Sequence, residues 1–161
     1  MSSESEAIKR IQELSKSHPK PNDKYKGKTV SRLKSMLWGD RNKPCFAEWV
    51  KQARSEDGIW CNCISCRKPI KIGTIDCQAG HFLPKKGYPF LYFHEDNVWP
   101  QCSYCNGPLQ GNQIEFEKNL IHKIGKERVQ WMHDHKNDPI KWNRADLIDK
   151  IELYKLKLKE L

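Results

Sequence analysis

Two Cys-x-x-Cys pairs, Cys63/Cys66 and Cys102/Cys105, stand 35 residues apart in this chain. A two-residue gap lets both sulfurs of a pair face one ion, and four thiolates in a tetrahedron suit Zn²⁺. The spacing therefore predicts a single zinc site that ties two distant points of the backbone together. Such a site folds the segment between its pairs as a small finger. Cys61 crowds the first pair, because Cys61-Asn62-Cys63 offers a second way to assemble it. The preference for Cys63 with Cys66 rests on the gap, which matches that of Cys102 and Cys105. Cys45 and Cys77 read as packed thiols rather than ligands.

A staple of this kind fits the rest of the composition. Of 161 residues, 37% are hydrophobic and 30% are charged. The core should be small, and structural zinc is one of the few reinforcements available inside a cell. Seven cysteines is an odd number, which argues for reduced, metal-bound thiolates in the cytoplasm over a disulfide framework. Lys and Arg number 29 against 20 Asp and Glu, a net charge of +9. That balance favours a polyanionic partner, nucleic acid being the commonest. No apolar run approaches the ~20 residues needed to span a membrane. Met1 to Glu13 is polar, without the apolar stretch of a secretory signal.

The expected fold is α+β: a small zinc-stapled finger flanked by N- and C-terminal helices. Residues 1–28 read as a short frayed helix and a flexible basic arm. Residues 29–60 are a helical lead-in, with Val30, Leu33, Met36 and Leu37, then Phe46, Trp49, Val50 and Ala53, at helical spacing. Residues 61–125 form the finger, its turns marked by Pro69, Gly73, Pro84, Gly87 and Pro89. A helix is expected from about Gln113 to a cap at Gly125, a shorter one over Glu127 to His133, and a last one over 143–161. Asn143 is a good N-cap for that last helix, with Asp146 three residues on.

Between the cysteine pairs, Thr74 to Phe82 reads as a strand ending at Gly80-His81. There a neutral imidazole can face a scissile phosphate and deprotonate water, since its pKa lies near neutrality. Asn106 follows Cys105 directly, where a helix should begin. Its amide oxygen can bind a hard cation such as Mg²⁺ or Mn²⁺, which would stabilise charge on the phosphate and the leaving 3′ oxygen. The Asn97 side chain can brace the connecting loop by hydrogen bonds to the loop backbone. Each residue alone has a bland alternative as a turn or cap; it is their combination inside a zinc finger on a basic chain that points to chemistry.

These stretches resemble a known family. The order Cys-x-x-Cys, Gly-His, Asn, Cys-x-x-Cys-Asn looks like an HNH, or ββα-metal, endonuclease. The closer likeness is to the NinG/Rap recombination nucleases of lambdoid phages. It is carried by Cys63 to Cys66, Ala79-Gly80-His81-Phe82, Asn97-Val98, Gln101-Cys102, Cys105-Asn106, Gly111-Asn112, Leu120-Ile121, Ile124 to Val129 and the tail from Trp142. The resemblance implies cleavage of branched DNA, such as Holliday junctions and D-loops, in a bacterial host cell, alongside phage or host recombination proteins. It assigns His81 as general base, Asn106 as metal ligand and Asn97 as the middle Asn of the pattern. Two features depart from it. This chain has no cysteine before Cys45, whereas some relatives carry a cysteine-rich segment there. Gln78 also stands where the wider group has an acidic residue or His. Gln78 is thus a candidate cation ligand or a holder of metal-bound water, with Asp76 as the other candidate.

Basic residues extend the reading. Lys20, Lys24, Lys26, Lys28, Arg32 and Lys34 are candidate phosphate contacts, as are Lys85 and Lys86 just past His81. Trp99 is expected to pack against the finger. Leu147, Ile151, Tyr154, Leu158 and Leu161 form a narrow apolar seam on the last helix. It suits either a homodimer or packing on its own domain. Two other functions share these features: a non-catalytic zinc-dependent DNA-binding accessory module, and an HNH nickase for ordinary duplex.

Overall fold

The computed structural model describes residues 23–40 and 42–161. The expected N-terminal helix and Lys16 and Lys20 of the basic arm lie outside the described residues. The architecture is α+β, with six α-helices and two two-stranded antiparallel sheets among the described residues. Contacts group the chain into two units. One runs up to Phe46 and takes in Trp142–Glu160; the other is Ala47–Lys141 with Leu161.

The first unit is helical. Helix α1 (Val30–Trp38) starts at Thr29, whose side chain accepts from the Arg32 amide at 3.2 Å. It stops at Gly39, whose φ of +88° suits a residue without Cβ. A Cβ at Gly39 would also stand 2.7 Å from the Cys45 amide nitrogen. Helix α6 (Arg144–Lys159) is capped as expected, with the Asn143 side chain accepting from the Asp146 amide at 2.9 Å. Leu33 and Leu37 of α1 are fully buried, as are Leu147, Ile151 and Tyr154 of α6. Phe46 meets the Tyr154 ring edge-on at 4.8 Å between centroids. The apolar seam of α6 is thus core of its own unit at these three positions, while Leu161 is exposed. A homodimer through α6 could not use those three side chains.

The expected flexible arm does not reach residue 28. Tyr25 is 6% exposed, its hydroxyl donates to Glu152, and Arg144 donates to its carbonyl at 3.1 Å. An aromatic side chain buried this far outweighs the local polarity that suggested a loose tail.

The second unit begins as α2 (Phe46–Gln52) leaves the first. Strands β1 (Trp60–Asn62) and β2 (Pro69–Lys71) pair with Cys61 opposite Ile70, and the turn between them holds Cys63 and Cys66. Strands β3 (Cys77–His81) and β4 (Val98–Cys102) pair from Cys77↔Cys102 to His81↔Val98. Helix α3 (Ser103–Asn106) follows β4 directly. Helices α4 (Gln113–Ile124) and α5 (Lys126–His135) meet at Gly125, whose amide donates to Ile121 at 2.9 Å. Phe82, Leu83, Leu91, Phe116, Leu120, Val129 and Met132 form the apolar core beneath the hairpin. Five cysteines and Ile70 form a second, smaller cluster. No described helix is long and apolar enough to cross a membrane.

Candidate metal centre and the His81 site

The β1–β2 turn and the β4–α3 junction bring Cys63, Cys66, Cys102 and Cys105 together, with all four sulfurs within 4.8 Å of one another. Zn–S bonds of ≈ 2.3 Å in a tetrahedron place sulfurs about 3.8 Å apart, and Cys66 and Cys102 lie 3.7 Å apart. The set fits a structural zinc ion. Backbone and side-chain donors already point at the sulfurs: the Cys105 amide toward Cys102 at 3.4 Å, and Asn112 Nδ2 toward Cys105 at 3.6 Å. Burial pushes the Cys105 thiol up to about 12. A bound cation reverses that logic, since coordinated thiols deprotonate. Cys61 is not part of the cluster. Its sulfur lies 3.5 Å from that of Cys77, and both side chains are buried. Cys45 is likewise buried, its thiol 3.8 Å from the Ile151 carbonyl.

His81 ends β3 in a socket made by the 82–97 connection. Its Nε2 lies 3.0 Å from the Tyr92 carbonyl, and its ring stacks on the Tyr92 ring at 5.4 Å. A carbonyl only accepts, so Nε2 carries the proton and Nδ1 keeps its lone pair. Burial pushes the His81 pKa down to about 4; the Tyr92 carbonyl opposes that shift and the Lys85 ammonium adds to it. Lys85 sits 5.8 Å over the Tyr92 ring, so its charge lies beside this socket. Lys85 and Lys86 are both exposed. Tyr92 had no signal in the sequence, because it acts through its carbonyl and ring from within an irregular loop.

Asn106 ends α3. Its Nδ2 donates to Gln78 Oε1 at 2.7 Å, which leaves Asn106 Oδ1 as the oxygen available to a cation. Gln78 thereby orients Asn106, with one lone pair of Oε1 engaged in that bond. Asp76, the other candidate, is engaged as an anchor. Its carboxylate accepts from the Ser103 hydroxyl at 2.6 Å, the Ser103 amide at 3.1 Å and Lys68 at 2.8 Å. Those bonds hold the Asp76 carboxyl down at about 2 and fix the start of α3.

Asn97 braces the loop. It is fully buried, accepts from the Leu83 amide at 2.7 Å, and donates to the carbonyls of Leu83 and Leu91 at 3.0 Å each. The ends of the loop that carries Tyr92 are thereby tied together. Gly80 sits against Gln101, whose Oε1 would lie 2.1 Å from a Cβ there. Gln101 is itself buried and donates to Ser65 Oγ at 2.7 Å. Arg128 forms a two-pronged pair with Asp96 that ties α5 to the base of the loop. Trp99 packs as expected, its Nε1 donating to the Asp96 carbonyl at 2.9 Å. Of the remaining candidate phosphate contacts, Lys24 pairs with Glu152 at 2.9 Å. Lys26 and Arg32 are exposed, and Lys28 and Lys34 half-buried.

Sequence comparison supplies the family. The family described as Bacteriophage Lambda NinG protein matches residues 2–161. The chain belongs to the NinG family. Protein ninG of Escherichia phage lambda is 29% identical over 120 residues, covering 70% of this chain and 57% of that protein. Protein ninG of Escherichia phage 933W is 29% identical over 120 residues, 70% of this chain and 58% of its own length. That of Salmonella phage P22 is 30% identical over 121 residues, with 70% and 57% covered. The match thus spans somewhat over half the length of these relatives. No solved structure matches the chain.

Proposed function

We propose that this NinG-family chain is a cation-dependent DNA endonuclease of the HNH, or ββα-metal, type. It would cut branched recombination intermediates such as Holliday junctions and D-loops. The observation that carries this reading is the His81 socket. The Tyr92 carbonyl fixes the tautomer with an unprotonated Nδ1, and burial keeps the ring neutral at pH 7. Nδ1 takes a proton from water, the water oxygen bonds to phosphorus, and the bond to the 3′ oxygen breaks. Asn106 Oδ1, oriented by Gln78, would hold a hard cation such as Mg²⁺ or Mn²⁺. That cation supplies charge stabilisation for the phosphate and the leaving oxygen. Zinc held by Cys63, Cys66, Cys102 and Cys105 would fix the β3–β4–α3 unit on which His81 and Asn106 stand. Lys85, next to the socket, offers a phosphate contact.

One observation favours a second reading. Gln78 and Asn106 are neutral amides bonded to each other, an arrangement that also serves as a simple structural lock in a zinc-dependent DNA-binding module. Incubation of purified protein with a mobile four-way junction and a matched linear duplex, each with and without Mg²⁺, separates the possibilities. Mg²⁺-dependent cleavage of the junction alone supports the proposal. Cleavage of both substrates assigns a duplex nickase, and binding without cleavage assigns the accessory module.

A further inference from the structure

The second unit contains a cavity of about 550 Å³ that borders the cysteine cluster at Cys63 and shares no residue with the His81 socket. Strand β1, Cys63 and α4 contribute to its walls, with Trp60, Trp99, Arg54, Arg67, His122 and Lys123 among the lining residues. Its volume falls in the range of ordinary ligand sites. Trp60 on β1 is 47% exposed although it is a large aromatic. Trp99 carries the Arg54 guanidinium 4.1 Å over its ring, and Arg54 Nη2 donates to the Glu95 carbonyl at 2.7 Å. Two aromatic side chains therefore line one cavity, the second with the Arg54 guanidinium stacked on its ring.

Arg67 is the less expected member. It follows the first cysteine pair at φ +62°, donating its amide to the Cys63 carbonyl at 2.8 Å. A glycine would adopt that backbone without steric cost; an arginine there places a guanidinium on the cavity wall. Asn119 Oδ1 holds the guanidinium Nε at 2.9 Å, and Asn119 Nδ2 is itself pinned by the Ile64 carbonyl at 2.8 Å and the Ser65 carbonyl at 2.9 Å. The residue is thus strained and pre-oriented, as groups at binding sites often are. Of the lining acids, Asp57 is committed to its own turn, accepting from the Ile59 and Trp60 amides at 2.8 and 2.7 Å. Glu56 is the remaining acid beside three cationic side chains, Arg54, Arg67 and Lys123.

We propose that this cavity is a binding site for an unpaired nucleobase and its adjoining phosphate, taken from a single-stranded stretch of nucleic acid. Aromatic faces accept any base by stacking, and guanidinium and ammonium groups hold the backbone beside it. The inference rests on the nucleic-acid part of the proposed function and not on its chemistry. Binding can therefore be measured with full-length His81→Ala protein and no added divalent cation. The probes are a fluorescent single strand of about eight nucleotides and its fully abasic counterpart of equal charge. The native strand should bind roughly tenfold more tightly than the abasic one. Trp60→Ala should erase that difference, and Trp60→Phe should restore most of it. Lys123→Ala should weaken both strands alike. Because Trp60 and Lys123 are exposed, all variants should melt with the parent protein. Equal affinity for native and abasic strands, or a base preference that survives Trp60→Ala in a folded protein, overturns the proposal. Either result leaves the cleavage assay, and with it the His81 reading, untouched.

Discussion

Cys61 and Cys63 are two residues apart, yet only Cys63 joins the four-sulfur cluster. Alternation alone would put both on one face, but β1 ends at Asn62; the turn that follows carries Cys63 to the cluster, while the Cys61 sulfur stays 3.5 Å from that of Cys77. Cys61→Ser should therefore keep one zinc ion per chain by elemental analysis, whereas Cys102→Ser should lose the metal and much of the fold. Zinc loss in Cys61→Ser with retention in Cys63→Ser would reverse the ligand assignment. His81 makes a prediction in pH. Its folded pKa is depressed to about 4 from an ordinary 6.5, so the neutral base persists well below neutrality. As regards this group, cleavage should stay level from pH 8 down to about 5 and fall as pH drops through 4. By linkage, the neutral buried ring also adds a stability term that is fully present above pH 6.5. That term is lost progressively as pH falls from 6.5 toward 4. An acid limb centred near 6.5 would mean that the ring is not buried as described.

Among the elements, the β3–β4 hairpin positions most of the candidate site, and its fit depends on Gly80. A Cβ at Gly80 would meet Gln101 at 2.1 Å from Oε1 and 3.1 Å from Cβ. Gln101 is fully buried and tied to Ser65 and Gly111, so it cannot swing aside freely. Gly80→Ala should destabilise the protein by about 1–3 kcal/mol and displace the neighbouring His81. Gln101→Ala in the same chain should recover part of the loss in thermal melts. Additive losses would show that the clash is not the cause. Removing Asn97 (Asn97→Ala) leaves the Leu83 amide and two carbonyls without that partner, and stability should fall by about 1–3 kcal/mol. Much of this layout was legible beforehand. Periodicity placed α1, α4, α5 and α6, and Gly125 and Asn143 marked their ends because caps are local chemistry. The matching Cys-x-x-Cys gaps picked out the four sulfurs that come together. What could not be read was set by contacts distant in sequence: the Tyr92 carbonyl behind His81, the Asp76 grip on Ser103, and the bond from Asn106 to Gln78. The burial of Tyr25 against α6 belongs to that class too, and it shortened the arm that polarity suggested.

For the whole molecule, the net charge of +9 predicts salt-sensitive binding to DNA. Deleting residues 1–22 removes Lys9, Arg10, Lys16 and Lys20 without touching Tyr25. The log–log salt slope of DNA affinity should flatten by about 0.9 for each duplex phosphate no longer neutralised. Deleting residues 1–28 should also lower the melting temperature, because Tyr25 leaves the first unit's core. An unchanged salt slope in the shorter deletion would show that those basic residues do not touch phosphate. Whether His81 performs the chemistry, and does not merely grip DNA, is tested most directly by single-turnover cleavage of a four-way junction at saturating protein with Mg²⁺. Wild-type and His81→Ala proteins are compared, with junction affinity measured in parallel. A general base at His81 predicts matched affinity and a cleavage rate lower by about 10²–10⁴-fold in His81→Ala. Equal cleavage rates, or no cleavage by the wild-type protein, would contradict it.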